Sequence, residues 1–228
     1  LTTNGILLEE QAQQLVAAGL DGVNISLDTL DVAVYRSITR CGDVSRVLAG
    51  LEQMQKYPQV TVKLNCVLGG VQWEQTAVAV AGLAKRCPVH VRFIERMPLA
   101  EEDTQSCAQD DVLAALEAVY GAAQPCEKPM GFGPSTYVQF AGFLGKVGFI
   151  SAVSHKFCAD CNRIRLTADG KLRLCLQSDR MVDLRALVRG GRTAELISTV
   201  QEALKEKPQA HCFEQRGIET ACMSRIGG

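Results

Sequence analysis

The sequence predicts an α/β protein in which a parallel sheet or barrel comes first and a smaller region of short strands follows. Over the first hundred residues, segments with the period of two that strands show alternate with segments that have helix-type ends. Strand, helix and strand at this spacing form right-handed βαβ units, whose strands run parallel. After about residue 120, the chain changes to short strands between turns rich in glycine and proline.

The individual elements of the first part follow from charge, period and turn residues. Residues 9–18 carry acids in the first turn and are followed by Gly19, which is the polarity expected of a helix. Strands are predicted at 21–28, 60–68 and 89–95, and helices at 44–56, 74–86 and 108–120. The opening LTTNG is typical of the end of a strand that runs into the first helix, so we expect the chain to be a fragment of a longer protein.

The second part begins at about residue 126. YVQF and KVGFIS predict short strands, and RIRLTADGKLRLCL predicts a β-hairpin with ADG as its turn. Helices are predicted at about 183–189 and 194–206, and the glycines at 142, 145 and 148 are interpreted as turn residues. We therefore divide the chain into residues 1–125 and residues 126–228.

The composition is that of an ordinary globular protein, with 47% hydrophobic and 21% charged residues. No apolar run approaches the roughly 18 residues of a membrane span, and no basic-then-apolar signal segment opens the chain. The net charge of −1 gives no argument for nucleic acid or an anionic membrane as a partner. Ten cysteines in a chain of this length without a secretion signal indicate a reducing cytosol, so we expect a cytoplasmic protein.

Polar side chains lie at the ends of three successive predicted strands. They are Asn24, Ser26, Asp28, Lys63, Asn65, Arg92 and Glu95. In parallel sheets and barrels, active sites form where the carboxyl ends of the strands meet. A single such residue is more often a cap or a solvent-facing residue. Polar groups at the same end of three strands together predict a site.

Three cysteines have the spacing of metal ligands. They are Cys158, Cys161 and Cys175, in the pattern C-x2-C-x13-C. Zinc needs four ligands, so a zinc site would require Cys212, His211 or Cys222 as well. A four-iron cluster held by three cysteines would instead leave one iron open for a substrate atom. Spacing alone leaves zinc, the cluster and an unliganded turn as alternatives.

Two arginines follow the second of these cysteines. If RIRL is a strand, Arg163 and Arg165 point to the same face, and two guanidinium groups side by side match the oxygens of a phosphate chain. From Lys156 to Arg192 the chain has nine Lys or Arg and four Asp. Such a run is usually a solvated basic face, but beside a candidate metal site it predicts a bound anion.

Several segments resemble, in the same order, those of the GTP 3′,8-cyclase family of molybdenum cofactor biosynthesis, a family of radical S-adenosylmethionine (SAM) enzymes. They are TTNG, NISLD, VKLNCV, VRFIERMP, SHKFCADCNRIRLTADGKLRLCL and the terminal GG. The resemblance runs over the whole chain. It implies an α/β fold with a partial (β/α)6 radical SAM barrel, lacking its first strands, in residues 1–125. It also implies a small α+β C-terminal region in residues 126–228 that carries a 4Fe–4S cluster and the GTP site.

The resemblance implies two clusters. Cys158, Cys161 and Cys175 would hold the C-terminal 4Fe–4S cluster, whose open iron takes the guanine of GTP. A second 4Fe–4S cluster binds SAM through a C-x3-C-x2-C motif in the family. No such motif occurs in these 228 residues, so we expect its cysteines upstream of Leu1 and expect the chain alone to be inactive.

The resemblance also assigns residues by position. Thr2, Lys63, Arg163, Ile164 (through its backbone) and Arg165 match GTP contacts. Arg92 matches an active-site arginine, and Arg163 and Arg165 join it as catalytic candidates. Ser26 and Met97 match SAM contacts, while Gly227 and Gly228 end a tail that enters the active site in the family.

The family's reaction splits SAM to a radical that takes hydrogen from C3′ of GTP, and C3′ then bonds to C8 to give 3′,8-cyclo-7,8-dihydro-GTP. The implied partners are GTP, SAM, a reductant such as flavodoxin or ferredoxin, and the enzyme that next makes cyclic pyranopterin monophosphate. A homodimer is a further option. Two alternatives stay open: an inactive GTP- or metal-binding fragment, and a peptide-modifying radical SAM enzyme with an auxiliary cluster.

Overall fold

A computed structural model of the chain contains two compact units. The structure describes residues 1–97, 106–127, 133–176, 178 and 180–211. The first unit comprises Leu1–Arg96 and Gln105–His155, and the second comprises Met97–Thr104 and Lys156–Gly228. The predicted boundary at residue 125 falls inside the first unit, so a functional division at that point stays a prediction. Within the described ranges, no helix is both long enough and apolar enough to cross a membrane.

The first unit is built on one seven-stranded sheet. Its strands are β1 (Thr2–Thr3), β2 (Gly22–Ser26), β3 (Thr61–Val67), β4 (His90–Ile94), β5 (Gln124–Pro125), β6 (Thr136–Gln139) and β7 (Val147–Ile150). They lie in the order β1-β2-β3-β4-β7-β6-β5. Strands β1 to β4 and β7 run parallel to one another, whereas β6 is antiparallel to both of its neighbours, β7 and β5. The α/β class and the parallel sheet are confirmed, and the strands predicted from period and turn signals are placed to within two residues.

In the described part of the first unit, five helices accompany this sheet. They are α1 (Leu8–Ala17), α2 (Val32–Thr39), α3 (Val44–Met54), α4 (Trp73–Arg86) and α5 (Gln109–Tyr120). The predicted helices are confirmed, whereas α2 was not predicted from the sequence. The side chain of Asp31 caps α2 by accepting from the backbone N–H of Val34 at 2.8 Å. Helix α2 is eight residues long and buries only Tyr35.

The core of the first unit lies between one face of the sheet and the helices. Along the central strands buried residues alternate with less buried ones, as a period of two requires. The buried members are Val23, Ile25, Val62, Leu64, Cys66, Val91 and Phe93, and they share a core with Ala12, Val47, Leu51 and Met54 from the helices. One face of the sheet is therefore apolar and covered by helices, and the intervening side chains belong to the other face.

Among its described residues, the second unit contains a small antiparallel sheet and two helices. Its elements are β8 (Arg165–Leu166), β9 (Lys171–Arg173), β10 (Met181–Asp183), α6 (Arg185–Arg189) and α7 (Thr193–Lys205). The sheet order is β10-β9-β8, so the predicted hairpin is confirmed, and so are both helices to within two residues. The assumption that RIRL is a strand throughout was wrong. Strand β8 begins at Arg165, so Arg163 precedes the strand and does not share its face.

Candidate functional site

The face of the main sheet opposite the helices carries a cluster of polar side chains, which we call the polar face. Its members are Thr2, Asn24, Ser26, Lys63, Asn65, His90 and Arg92. The register places the first row as Thr2, Asn24, Lys63 and His90, and the next as Ser26, Asn65 and Arg92. The predicted meeting of polar groups from three successive strands is therefore confirmed.

Arg92 is held in place by amide side chains from two other strands. Its Nε donates to Oδ1 of Asn65 at 2.8 Å, and its Nη2 donates to Oδ1 of Asn24 at 2.8 Å. Asn24 in turn donates from Nδ2 to the hydroxyl of Thr2 at 3.2 Å. Both amide acceptors are neutral, so they orient the guanidinium group without cancelling its charge. Arg92 can therefore present a fixed positive charge to an anionic ligand.

Two residues beside Arg92 were missed from the sequence. Gly148, interpreted there as a turn residue, lies within β7 and pairs with both Arg92 and Tyr137. A Cβ at this position would lie 2.6 Å from Cε1 of Tyr137, so glycine leaves room for the ring. Burial raises the pKa of Tyr137, and the nearby positive charge of Arg92 opposes that shift. The tyrosine therefore belongs to the surroundings of Arg92, a contact that needs the antiparallel strand β6.

The electrostatic environment of the polar face is positive. Burial, and after it the charge of Arg92, lowers the pKa of Lys63. The pKa of His90 falls from 6.5 to about 4 because of burial first and then the charges of Lys63, Lys146 and Arg92. Nδ1 of His90 accepts the backbone N–H of Lys146 at 3.1 Å. A positive environment of this kind suits an anionic ligand.

The two acids predicted at strand ends bind backbone amides. Oδ1 of Asp28 accepts the N–H of Val67 at 2.8 Å, and its pKa is raised by burial in spite of that bond. Oε2 of Glu95, which is buried, accepts the N–H groups of Val153 and Ser154 at 2.7 and 2.8 Å. The carboxylate of Asp28 therefore holds the end of β3, and that of Glu95 holds the chain that follows β7.

For the residues predicted to contact SAM, the structure gives their position and exposure. Ser26 is exposed at the end of β2 and pairs with Asn65, and Met97 is half-buried. Gly227 and Gly228 lie outside the described residues, as do Cys212 and Cys222. The SAM contacts and the active-site tail therefore stay predictions.

The three motif cysteines lie in the second unit. Cys158 opens a 3-10 turn at Cys158–Asp160, and the N–H of Cys161 donates to its carbonyl oxygen at 3.2 Å. Cys175 follows β9, and its carbonyl oxygen accepts from Nε of Arg173 at 3.2 Å. All three thiols are half-buried and free of disulfides.

As donors, three such thiols fit an iron–sulfur cluster, whereas a closed zinc site would need one more ligand. In the part of the chain that the structure describes, no three His, Cys, Asp or Glu side chains lie close enough together to hold a metal ion. The residue types fit the cluster, and the three-cysteine site itself stays a prediction.

Arginines are concentrated beside the cysteines. Arg165 on β8 pairs with Arg173 on β9, and Arg163 lies two residues before the strand pair. The pKa of Arg165 is lowered by burial and then by the charges of Arg173 and Arg163. Like charges this close favour a bound anion, which is the ligand that the basic run predicts. Arg173 was missed, although its place opposite Arg165 follows from the hairpin pattern.

Sequence comparisons agree with this picture. The model of the radical SAM superfamily matches residues 1–82, and the model called Molybdenum Cofactor Synthesis C matches residues 89–213. The GTP 3′,8-cyclase of Heliobacterium modesticaldum is 44% identical over 236 aligned residues, covering 100% of this chain and 72% of the relative. The enzymes of the same name from Pelotomaculum thermopropionicum and Desulforamulus reducens are 39% and 38% identical, with the same coverage. The chain belongs to the GTP 3′,8-cyclase family.

The family resemblance deduced from the sequence segments is therefore confirmed. The first match to a family model ends at residue 82, within α4, and the second begins at residue 89, just before β4. Both the polar face and the arginine-rich hairpin thus lie in segments that GTP 3′,8-cyclases share with this chain. The chain spans 72% of the length of the relatives named above.

Proposed function

We propose that the chain serves the GTP 3′,8-cyclase reaction of molybdenum cofactor biosynthesis, in which GTP is cyclised to 3′,8-cyclo-7,8-dihydro-GTP with SAM as co-substrate. Similarity along the whole chain to relatives named for this reaction supports the activity. The structural observation that carries the proposal is the polar face. It brings Thr2, Lys63 and Arg92, three residues assigned to the site by resemblance, onto one surface.

The residues proposed to contact GTP are those that the resemblance assigns by position. Lys63 and Arg92 supply positive charge in the first unit, and Thr2 supplies a hydroxyl group. Arg163 and Arg165 in the second unit suit phosphate oxygens because each guanidinium can donate two parallel hydrogen bonds. The backbone of Ile164, between the two arginines, completes the set.

The proposed C-terminal cofactor is a 4Fe–4S cluster held by Cys158, Cys161 and Cys175. Such a cluster supplies one iron without a protein ligand, to which a guanine atom can bind. Ser26 and Met97 are the proposed SAM contacts, and Gly227 and Gly228 the proposed end of the active-site tail. The SAM-binding motif C-x3-C-x2-C does not occur in these 228 residues. Binding, rather than turnover, is therefore the property to measure on this chain.

We propose that the main sheet is part of a (β/α)6 barrel. Strands β1 to β4 follow one another in chain order, with an apolar helix-covered face and a polar face. That arrangement is expected of part of a (β/α)6 barrel, in which the polar face would line the interior. The proposal includes a flavodoxin- or ferredoxin-type reductant, the synthase of cyclic pyranopterin monophosphate as the next enzyme, and a homodimer.

Anaerobic reconstitution with iron and sulfide tests the proposal. About four irons per chain, with an electron paramagnetic resonance (EPR) signal that changes when GTP is added, are expected. Cys175→Ser should lose the cluster, while the control Cys41→Ser, at an exposed cysteine outside the motif, should keep it. Zinc bound in place of iron, with no response to GTP, would contradict the proposal and favour a metal-binding module without this activity.

A further inference from the structure

Lys207, just beyond the end of α7, contacts the loop that joins the second motif cysteine to the first arginine. Its Nζ donates to the carbonyl oxygen of Cys161 and, at 3.1 Å, to that of Arg163. Lys207 is half-buried, whereas Lys205 is exposed and lies 3.9 Å from Glu202. One ammonium group therefore holds two carbonyl groups that are two residues apart in the same loop.

Because the peptide bond is planar, these contacts also determine where the neighbouring N–H groups point. In a trans peptide, the carbonyl group and the N–H of the next residue point in opposite directions. Because the carbonyl of Arg163 is directed at Lys207, the N–H of Ile164 is directed away from it. The carbonyl of Cys161 directs the N–H of Asn162 away from Lys207 in the same manner. Two N–H groups are thus turned to the side of the loop opposite Lys207.

We propose that Lys207 is a positioning residue that aims the backbone N–H of Ile164 at an acceptor atom of the bound nucleotide. The inference rests on the proposed function, which places the Ile164 backbone in the GTP site. Aligned backbone N–H groups form concave binding sites for anionic oxygens. A charged donor on the carbonyl also polarises the peptide, which strengthens the N–H as a donor.

Lys207→Met tests this role because it removes the ammonium group and keeps the length of the side chain. GTP affinity of the iron–sulfur-reconstituted chain, measured by titration calorimetry, should fall about tenfold, the loss expected for a hydrogen bond to a charged group. Lys207→Arg keeps a cation and should restore the affinity to within about threefold of wild type. The control Lys205→Met, on an exposed lysine two residues away, should bind GTP as wild type does.

A second measurement needs neither GTP nor the cluster. Hydrogen exchange of the peptides covering residues 158–165 in the metal-free chain should become about tenfold faster in Lys207→Met, because the loop loses its charge-assisted bonds. Unchanged exchange would overturn the ordering of the loop by Lys207, and unchanged GTP affinity would overturn its role in nucleotide binding.

The outcomes also separate this inference from the proposed function. If the wild-type chain binds no GTP, the proposed site is overturned, and the exchange measurement still decides whether Lys207 orders the loop. If wild type binds GTP and Lys207→Met binds it equally well, only the role of Lys207 is overturned. Should Lys207→Met fail to fold, Lys207→Gln, whose amide can still donate to the carbonyls, should show an intermediate loss of affinity.

Discussion

Arg92 and Asn24 are 68 residues apart in sequence, yet Nη2 of Arg92 donates to Oδ1 of Asn24 at 2.8 Å. The contact spans β3, whose Asn65 accepts from Nε of the same guanidinium group. Three strands that are adjacent and in register are needed to produce it. Both of these acceptors are neutral amide oxygens, and through them the strands fix the direction of the guanidinium group.

Asn24→Asp should separate the orientation of the Arg92 guanidinium group from the effect of its charge. Aspartate has the shape of asparagine and can still accept from Arg92, but its negative charge neutralises the guanidinium. We expect GTP affinity to fall at least fivefold with little change in the melting temperature, as measured by calorimetry. Gln55→Glu adds the same charge at the exposed C-terminal end of α3, on the helix side of the sheet, and should leave the affinity unchanged. Equal affinities for both variants would show that the charge of Arg92 does not act on the nucleotide.

Arg163→Ala and Arg165→Ala should each weaken GTP binding about tenfold to a hundredfold, because each removes charge-assisted hydrogen bonds to phosphate. Neither variant removes a thiol, so the iron content should stay at the wild-type value.

A matched control is Arg189→Ala, at an exposed arginine of α6. It changes the net charge by the same amount and should bind GTP as wild type does. Unchanged affinity in both hairpin variants would remove the arginines from the phosphate site.

The order of strands and helices could be predicted because each long element carries its own periodic pattern. Helix α2, which is eight residues long and buries only Tyr35, was not predicted, although Asp31 caps its first turn. Gly148 was taken for a turn residue because a glycine in sequence carries no sign of the ring that packs over it. Local sequence patterns therefore predict the helices and strands well, but they predict poorly which side chains pack against them.

The candidate site shows the same division. Thr2, Lys63 and Arg92 meet because neighbouring parallel strands align residues that the sequence places at corresponding strand positions. Lys207 could not be found in that way, since its contacts with the loop depend on how α7 packs in the second unit and join residues 44 and 46 positions apart. The three thiols could be proposed from spacing, but spacing does not determine how closely they approach.

His90 should remain neutral well below the pH at which an exposed histidine protonates. Its pKa in the folded chain is about 4, below the ordinary histidine value of 6.5, because of burial and the charges of Lys63, Lys146 and Arg92. Between these two values the unfolded chain binds a proton that the folded chain does not. Stability is therefore fully present above pH 6.5 and falls as the pH drops toward 4. Titration of the His90 ring by NMR measures this pKa directly.

The same histidine should report on the ligand. A bound triphosphate brings negative charge to the polar face, so the pKa of His90 should rise and GTP binding at pH 5 should take up protons. His90→Gln should abolish this proton uptake while keeping a neutral polar side chain at the position. Proton uptake that is the same in His90→Gln and wild type would place the triphosphate away from this end of the face.

Glu95 should be more important for stability than its position at a strand end suggests. It is buried, and its Oε2 accepts two backbone N–H groups that lie 58 and 59 residues further along the chain. Glu95→Ala leaves both N–H groups without this acceptor, which should cost about 2–4 kcal/mol of the free energy of unfolding. Glu95→Gln keeps a neutral acceptor and should cost about 1–2 kcal/mol. Urea denaturation measures both.

Glu10→Gln provides the comparison, because Glu10 is an exposed acid whose ion pair with Arg46 at 3.2 Å is also exposed. Such a pair contributes at most about 1 kcal/mol, so the control should unfold close to the wild-type midpoint. If Glu95→Ala were no more destabilising than Glu10→Gln, the two bonds to Val153 and Ser154 would not hold that segment. A large loss in Glu95→Ala with unchanged GTP affinity would instead show that Glu95 anchors the end of the first unit without reaching the nucleotide.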